Sequence, residues 1–378
     1  MKYFSLLAFL GILFSCQKKE NGYAYKDTIY SVDTIIIDSR NRLLDLDTYI
    51  FKSDLNNEEN SIFLYNKFDH SIDEVNLDDY EFVKSFPFET EGPNGTGKHV
   101  NNLNILVEDL IFFKSFGRSA VFHKSGSLEK RIEWENAIDS NGLKYGEIPQ
   151  NEVAIGTSDL KVFGLNYDQK NVNVFLDVLS VQDNSVKRID FDSEKSYQNF
   201  VFKIDDPANY TYLDPIIFLA HENDFILVSH QFSNEIYLFN SEGKQVQTVN
   251  YEPKMTPKRA KDLSGKKITS YEQIQDEYQS LLEQVRFGPP VWDREKKRYF
   301  RLSTSMVFSD SSKEEDSFLP EIKEAKVYLS IFDTDFNLIS ELIIPELSNQ
   351  YVKYFAKDGK LWVFKNYSDE LGFIVIDI

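Results

Sequence analysis

Two stretches decide the fold. One is Ser229-His230-Gln231-Phe232-Ser233-Asn234-Glu235-Ile236-Tyr237-Leu238-Phe239, the other Phe364-Lys365-Asn366-Tyr367-Ser368-Asp369-Glu370-Leu371-Gly372-Phe373-Ile374. Each leaves the end of an apolar strand, crosses a polar turn and enters a second apolar strand. Their shared strand end, an apolar run closed by a basic or amide residue, can be laid down six times. It reads Ile50-Phe51-Lys52, Phe112-Phe113-Lys114, Gly164-Leu165-Asn166, Val228-Ser229-His230, Tyr299-Phe300-Arg301 and Val363-Phe364-Lys365. A pattern that returns at a long period is the mark of stacked modules.

Working outward, the chain from Asp33 onward is short Val-, Ile-, Phe- and Tyr-rich runs separated by Gly, Asn and Asp, as in all-β domains. Turn markers at Asp69, Gly126, Asn184, Gly243 and Asn337 stand 57, 58, 59 and 94 residues apart. Each unit reads as a strand, a tight turn, and the strand ending in the basic or amide position. A third strand follows (SIFLYN, SAVFHK, EIYLFN, VYLSIFD), then a fourth such as QVQTVNY or LISELIIP. Four-stranded antiparallel modules repeated radially make a β-propeller. The expected fold is therefore all-β, a six-bladed β-propeller. The last unit, ending at Ile378, has three strands, and the spare N-terminal strand Thr34–Ile37 is expected to close the ring.

Residues 252–288 interrupt the β pattern. Ser270 with Gln273 three positions on fits a capping box. Tyr271, Ile274, Tyr278, Leu281, Leu282 and Val285 then follow helical spacing, and Gly288-Pro289-Pro290 is expected to end the helix. Its lead-in carries Lys254, Lys258, Arg259, Lys261, Lys266 and Lys267, which reads as a solvated charged segment or a docking surface for an acidic partner.

The N-terminus is Met1-Lys2, the apolar run Phe4 to Phe14, then Ser15-Cys16. A basic start, a short apolar core and a small residue before the cut describe an export signal, too short to span a membrane. Leu13-Phe14-Ser15-Cys16 resembles the lipobox of bacterial lipoproteins, which implies acylation of Cys16, palmitate included. The division expected is 1–15 signal peptide, 16–32 lipidated N-terminus and tether, and 33–378 a single propeller domain containing the 252–288 insertion. Cys16 is the only cysteine, so no disulfide and no Cys-rich zinc site can form. A formal charge of −19 repels nucleic acid.

Lipobox, six modules and loops such as Phe86-Pro87-Phe88-Glu89-Thr90-Glu91-Gly92-Pro93 together resemble a group of six-bladed propeller lipoproteins of unknown function from Bacteroidetes. The resemblance implies an envelope protein on the outer membrane and no catalytic residues. Asp27-Thr28-Ile29 and Asp33-Thr34-Ile35 resemble the tripeptide of protein O-glycosylation in that phylum, which makes Thr28 and Thr34 candidate sites.

Motifs that would carry chemistry fail on inspection. Gly92-Pro93-Asn94-Gly95-Thr96-Gly97-Lys98-His99 nearly spells a phosphate loop, but His99 replaces the hydroxyl residue that binds magnesium, and a strand follows instead of a helix. Asp333, Asp335 and Asn337 open like a calcium loop, yet Leu338 and Ile344 replace its Gly and its bidentate acid. The five His residues show no metal-binding spacing, and no Gly-x-Ser-x-Gly elbow is present. No metal or cofactor is expected. What remains is the six-fold position Lys52, Lys114, Asn166, His230, Arg301 and Lys365. Were these residues to converge at one end of the axis, they would form a positive well for a carboxylate, sulfate or phosphate.

The expected function is that of a lipid-anchored envelope protein that binds an anionic small molecule or glycan without chemistry. Its membrane contact runs through the N-terminal lipid. Two alternatives stand beside it: a hydrolase or lyase acting on an anionic saccharide, and a scaffold for another envelope protein.

Overall fold

Strands covered on both faces read as unbroken apolar runs, while strands with one wet face alternate. Ser61–Asn66 is buried at every position, whereas Glu81–Pro87, two strands further out, is mostly half-buried or exposed. That gradient, repeated unit after unit, is the signature of sheets packed face to face around an axis.

The computed structural model describes residues 29–107, 109–204, 211–263, 266–309, 317–349 and 351–378. Six four-stranded antiparallel sheets form the blades. Blade one holds Ser53–Leu55, Ser61–Asn66, Ser71–Asn76 and Glu81–Pro87. Blade two holds Val100–Val107, Leu110–Ser115, Arg118–His123 and Leu128–Ile132. Blade three holds Asn151–Ile155, Lys161–Asp168, Asn173–Ser180 and Ser185–Ile189. Blade four holds Ile217–Glu222, Phe225–His230, Ile236–Phe239 and Gln245–Val249. Blade five holds Arg286–Asp293, Arg298–Phe308, Ile322–Phe332 and Leu338–Ile343.

Blade six takes Tyr354–Lys357, Lys360–Tyr367 and Glu370–Asp377 from the C-terminus and its outermost strand, Ser31–Ile36, from the N-terminus. That strand pairs with the last one in register from Ser31 opposite Asp377 to Ile36 opposite Gly372. The ring is closed by the N-terminal strand, as the sequence predicts. Apolar side chains between blades seal the junctions. Ile62, Leu64 and Val75 of blade one share a cluster with Trp362, Phe373 and Ile376 of blade six.

The first strand of each blade lies innermost and follows an inter-blade connection. The face carrying those connections, and the turns between second and third strands, is called the upper face. The turns between first and second strands mark the lower face.

Two sequence readings need correction. SIFLYN is the second strand of blade one, not a third, and Asp69 lies between second and third strands. The turn equivalent to Gly126 is at Asp78–Tyr80. The Ile50-Phe51-Lys52 run is not a second strand at all. Thr48, Tyr49 and Ile50 have φ of 53°, 55° and 54°, left-handed geometry that no strand accommodates.

The helix spans Tyr271–Gln284 and is capped as expected: the Ser270 hydroxyl accepts from Gln273 N at 3.2 Å. It ends at Gln284, ahead of the Gly-Pro-Pro. Val285 is already extended, and Gly288-Pro289-Pro290 lies in the innermost strand of blade five. Proline is tolerated there because a bulge between Phe287 and Pro290 interrupts the ladder. The helix buries Ile274, Leu281 and Leu282 against Phe202, Phe232, Phe287 and Met306, forming a cap on the upper face over blades four and five.

Candidate functional site

The innermost strands ring the axis without filling it. They leave a channel of about 1040 Å³. At the upper end its wall is Phe51, Tyr351, Val352 and Pro289; at the lower end it is Asn56, Glu59, Asn223, Asp224, Arg294 and Lys297. Ligand pockets run to about 1,000 Å³, so this space suits a ligand of oligosaccharide size.

Titratable groups line the middle. Asp54 sits in the first strand of blade one and accepts a hydrogen bond from Ile105 N of blade two at 2.9 Å. Glu222 ends the first strand of blade four, where its carboxyl accepts from Trp292 N of blade five at 3.0 Å. Lys353 precedes the first strand of blade six and donates from Nζ to Ser53 O at 3.0 Å. His221 and Glu59 lie toward the lower end. Each group therefore stitches two neighbouring blades or stands at the foot of one.

Burial dominates their electrostatics. It pushes the Glu222 carboxyl up to about 8, with Asp54 and Glu59 adding repulsion and Lys353 opposing. Asp54 is likewise raised by burial, countered by Lys353, and Glu59 is raised by burial, countered by Arg294. Burial lowers His221. Asp54 and Glu222 remain partly open to the channel, so water tempers all of these effects. Below about pH 8 the channel holds a protonated Glu222 within electrostatic reach of Lys353, an arrangement that can donate to and pair with an anionic oxygen.

The six-fold position lies elsewhere. Five of its members are on second strands, one layer out from the axis, and none lines the channel. Lys114 is buried and ion-paired with Glu152 of blade three, whose other oxygen accepts from Ser119 Oγ at 2.6 Å. Arg301 is buried and donates to Gly288 O at 2.8 Å, Asn234 O at 2.8 Å and His230 O at 3.2 Å. Asn166 donates to Tyr145 Oη and Glu147 at 2.9 and 2.6 Å. Lys365 is exposed.

Lys52 precedes the first strand of blade one and lines a separate recess of about 190 Å³ with Asp45, Tyr65 and Lys67. Only His230 and Arg301 are brought into contact. Lys114 and Arg301 lie buried between blades, where a cation must find its partners within the protein.

Thr34 is exposed on the closing strand, whereas Cys16 and Thr28 lie outside the described residues. The acid-rich loop of residues 310–316 also lies outside them. The Gly-rich stretch after Phe88 is an inter-blade connection, and Asp333 caps a turn by accepting from Asp335 N and Asn337 N at 2.9 and 2.8 Å. The sequence reading missed Asp54, Glu222 and Lys353. Their one signal was a charged residue in or beside an innermost strand, which could have been read only with the strands correctly ordered.

The family of the domain of unknown function DUF4221 matches residues 25–343, most of the length. The chain belongs to the DUF4221 family. The crystal structure of a DUF4221 member from Bacteroides vulgatus is 13% identical, covers 92% of this chain and 96% of its own, and superposes with a TM-score of 0.64. A Bacteroides fragilis protein described as a candidate exported protein is 9% identical over 94% of this chain and 96% of its own, with a TM-score of 0.49. At such identities the likeness to the first concerns the fold alone, and that to the second carries no argument. No curated protein matches this chain. Among the described residues, no helix of this DUF4221 protein is long and apolar enough to cross a membrane.

Proposed function

We propose that this DUF4221 protein is a lipid-anchored envelope protein whose axial channel binds a saccharide-sized ligand bearing a carboxylate or similar anion, without chemistry. The observation that carries the reading is Glu222, a carboxyl pushed up to about 8 inside a channel of about 1040 Å³ and within electrostatic reach of Lys353. Protonated Glu222 donates to the ligand's anionic oxygen, Lys353 pairs with it, and the aromatic upper rim of Phe51 and Tyr351 offers flat faces for sugar rings.

The chain enters the propeller at Ser31, which pairs with Asp377 at the lower face. An anchor at Cys16 would join the propeller from that face.

The test is calorimetric titration of the protein with glucuronate-containing oligosaccharides. Lys353→Met should weaken binding at least tenfold, while Lys130→Met, on an outer strand, should leave it unchanged. Equal affinity in both variants would refute the channel as the site. No binding by any acidic saccharide would shift weight to a protein-partner scaffold. The raised Glu222 also favours a second reading, in which it acts as general acid for cleavage of the same ligand. Release of shortened product during the titration would establish that reading.

A further inference from the structure

Away from the channel, the upper face buries a second group of chemistry-bearing side chains. Asp192 lies in the connection between blades three and four, His230 ends the second strand of blade four, and Glu235 immediately precedes its third strand. One ligand atom from each lies within 4.8 Å of the others. The Asp192 Oδ1 to His230 Nε2 separation is 3.5 Å. Ligands held about 2.1 Å from a tetrahedral metal stand roughly 3.4 Å from one another.

His230 supplies the independent sign. It is 1% exposed, and neither ring nitrogen has a hydrogen-bond partner. A buried polar atom left unmatched is costly, and a metal bond would satisfy one of these two. Burial first, then the charges of Arg301 and Arg259, keep the imidazole neutral, which is the form that ligates.

The carboxylates are already oriented. Asp192 accepts from Ser196 N and Tyr197 N, both at 2.8 Å. Glu235 accepts from the Ser196 hydroxyl and from Tyr237 Oη, the latter at 3.3 Å. Such outer contacts fix ligand geometry. Arg259 acts on Asp192 and Arg301 on Glu235 at electrostatic range, so a hard cation that depends on net charge gains little here. An imidazole with two carboxylates, so balanced, selects instead a metal that bonds nitrogen well.

We propose that Asp192, His230 and Glu235 form a mononuclear site for a first-row divalent transition metal of the zinc type, with a fourth coordination position open. No sequence spacing reveals it, because its ligands come from the junction of two blades.

The experiment strips the full chain with a chelator, then titrates it with Zn²⁺ by calorimetry and with Co²⁺ by visible absorption. One Zn²⁺ per chain should bind, and Co²⁺ should give the intense bands of a four-coordinate site. His230→Gln and Asp192→Asn should each weaken Zn²⁺ binding by at least about 100-fold. His123→Ala serves as the control, because half-buried His123 sits 2.9 Å from both Asp109 and Glu129 and is the obvious competitor. Should His230→Gln not fold, the Co²⁺ spectrum of the unaltered chain decides by itself. Absence of saturable binding, a six-coordinate Co²⁺ spectrum, or binding lost in His123→Ala and kept in Asp192→Asn would overturn the proposal.

Discussion

Replacing Glu222 with Gln tests the electrostatics of the channel directly. A carboxyl moved from its ordinary 4.5 to about 8 corresponds to about 5 kcal/mol, at about 1.4 kcal/mol per pH unit. Glu222 is partly open to channel water, which tempers the effect, so about 3–5 kcal/mol is the expected size. The sign follows from proton counting. Between pH 4.5 and about 8 the folded protein keeps the proton and the unfolded chain has lost it, so stability falls as pH rises through that window.

Gln cannot lose a proton, and its amide oxygen still accepts from Trp292 N. Glu222→Gln should therefore match the parent near pH 5 and exceed its unfolding free energy by about 3–5 kcal/mol at pH 9. Urea denaturation at a series of pH values reads this as a difference curve, in which the other titrating groups largely cancel. Parallel curves for the two proteins, or a gap that widens toward acid, would refute the reasoning.

Lys114→Met should cost about 3–5 kcal/mol by stranding the buried Glu152 carboxylate, and adding Glu152→Gln should recover part of that loss in urea melts. Removing residues through Ile37 strips the outer strand from blade six and bares the edge of Glu370–Asp377. Thermal denaturation should then show a markedly lower midpoint and aggregation, reversed by a synthetic peptide of residues 29–37.

The repeat, the blade count, the closing strand and the helix cap were legible in the sequence because each is written in local order. Alternation and turn chemistry mark strands, a Ser three residues before a Gln marks a helix start, and three C-terminal strands require a fourth. Blade one shows where local order misleads. Tyr49-Ile50-Phe51 has strand composition, but three left-handed residues turn it into a connection. Gly288-Pro289-Pro290 looks like a helix stop, yet it serves as a bulged innermost strand that packs against Tyr354, whose hydroxyl donates to Pro289 O.

By itself, then, the sequence determined the architecture of this DUF4221 protein and its acidic, single-cysteine character. Only the tertiary structure decided which polar residues face the axis. Lys114 and Asp54 are both charged residues within strands, and spacing does not tell which strand is innermost. One strand is innermost and the other second, so Asp54 meets the channel while Lys114 meets Glu152. Desolvation and partner distance set the chemistry of a charge, and both are properties of how blades meet, which no single strand encodes.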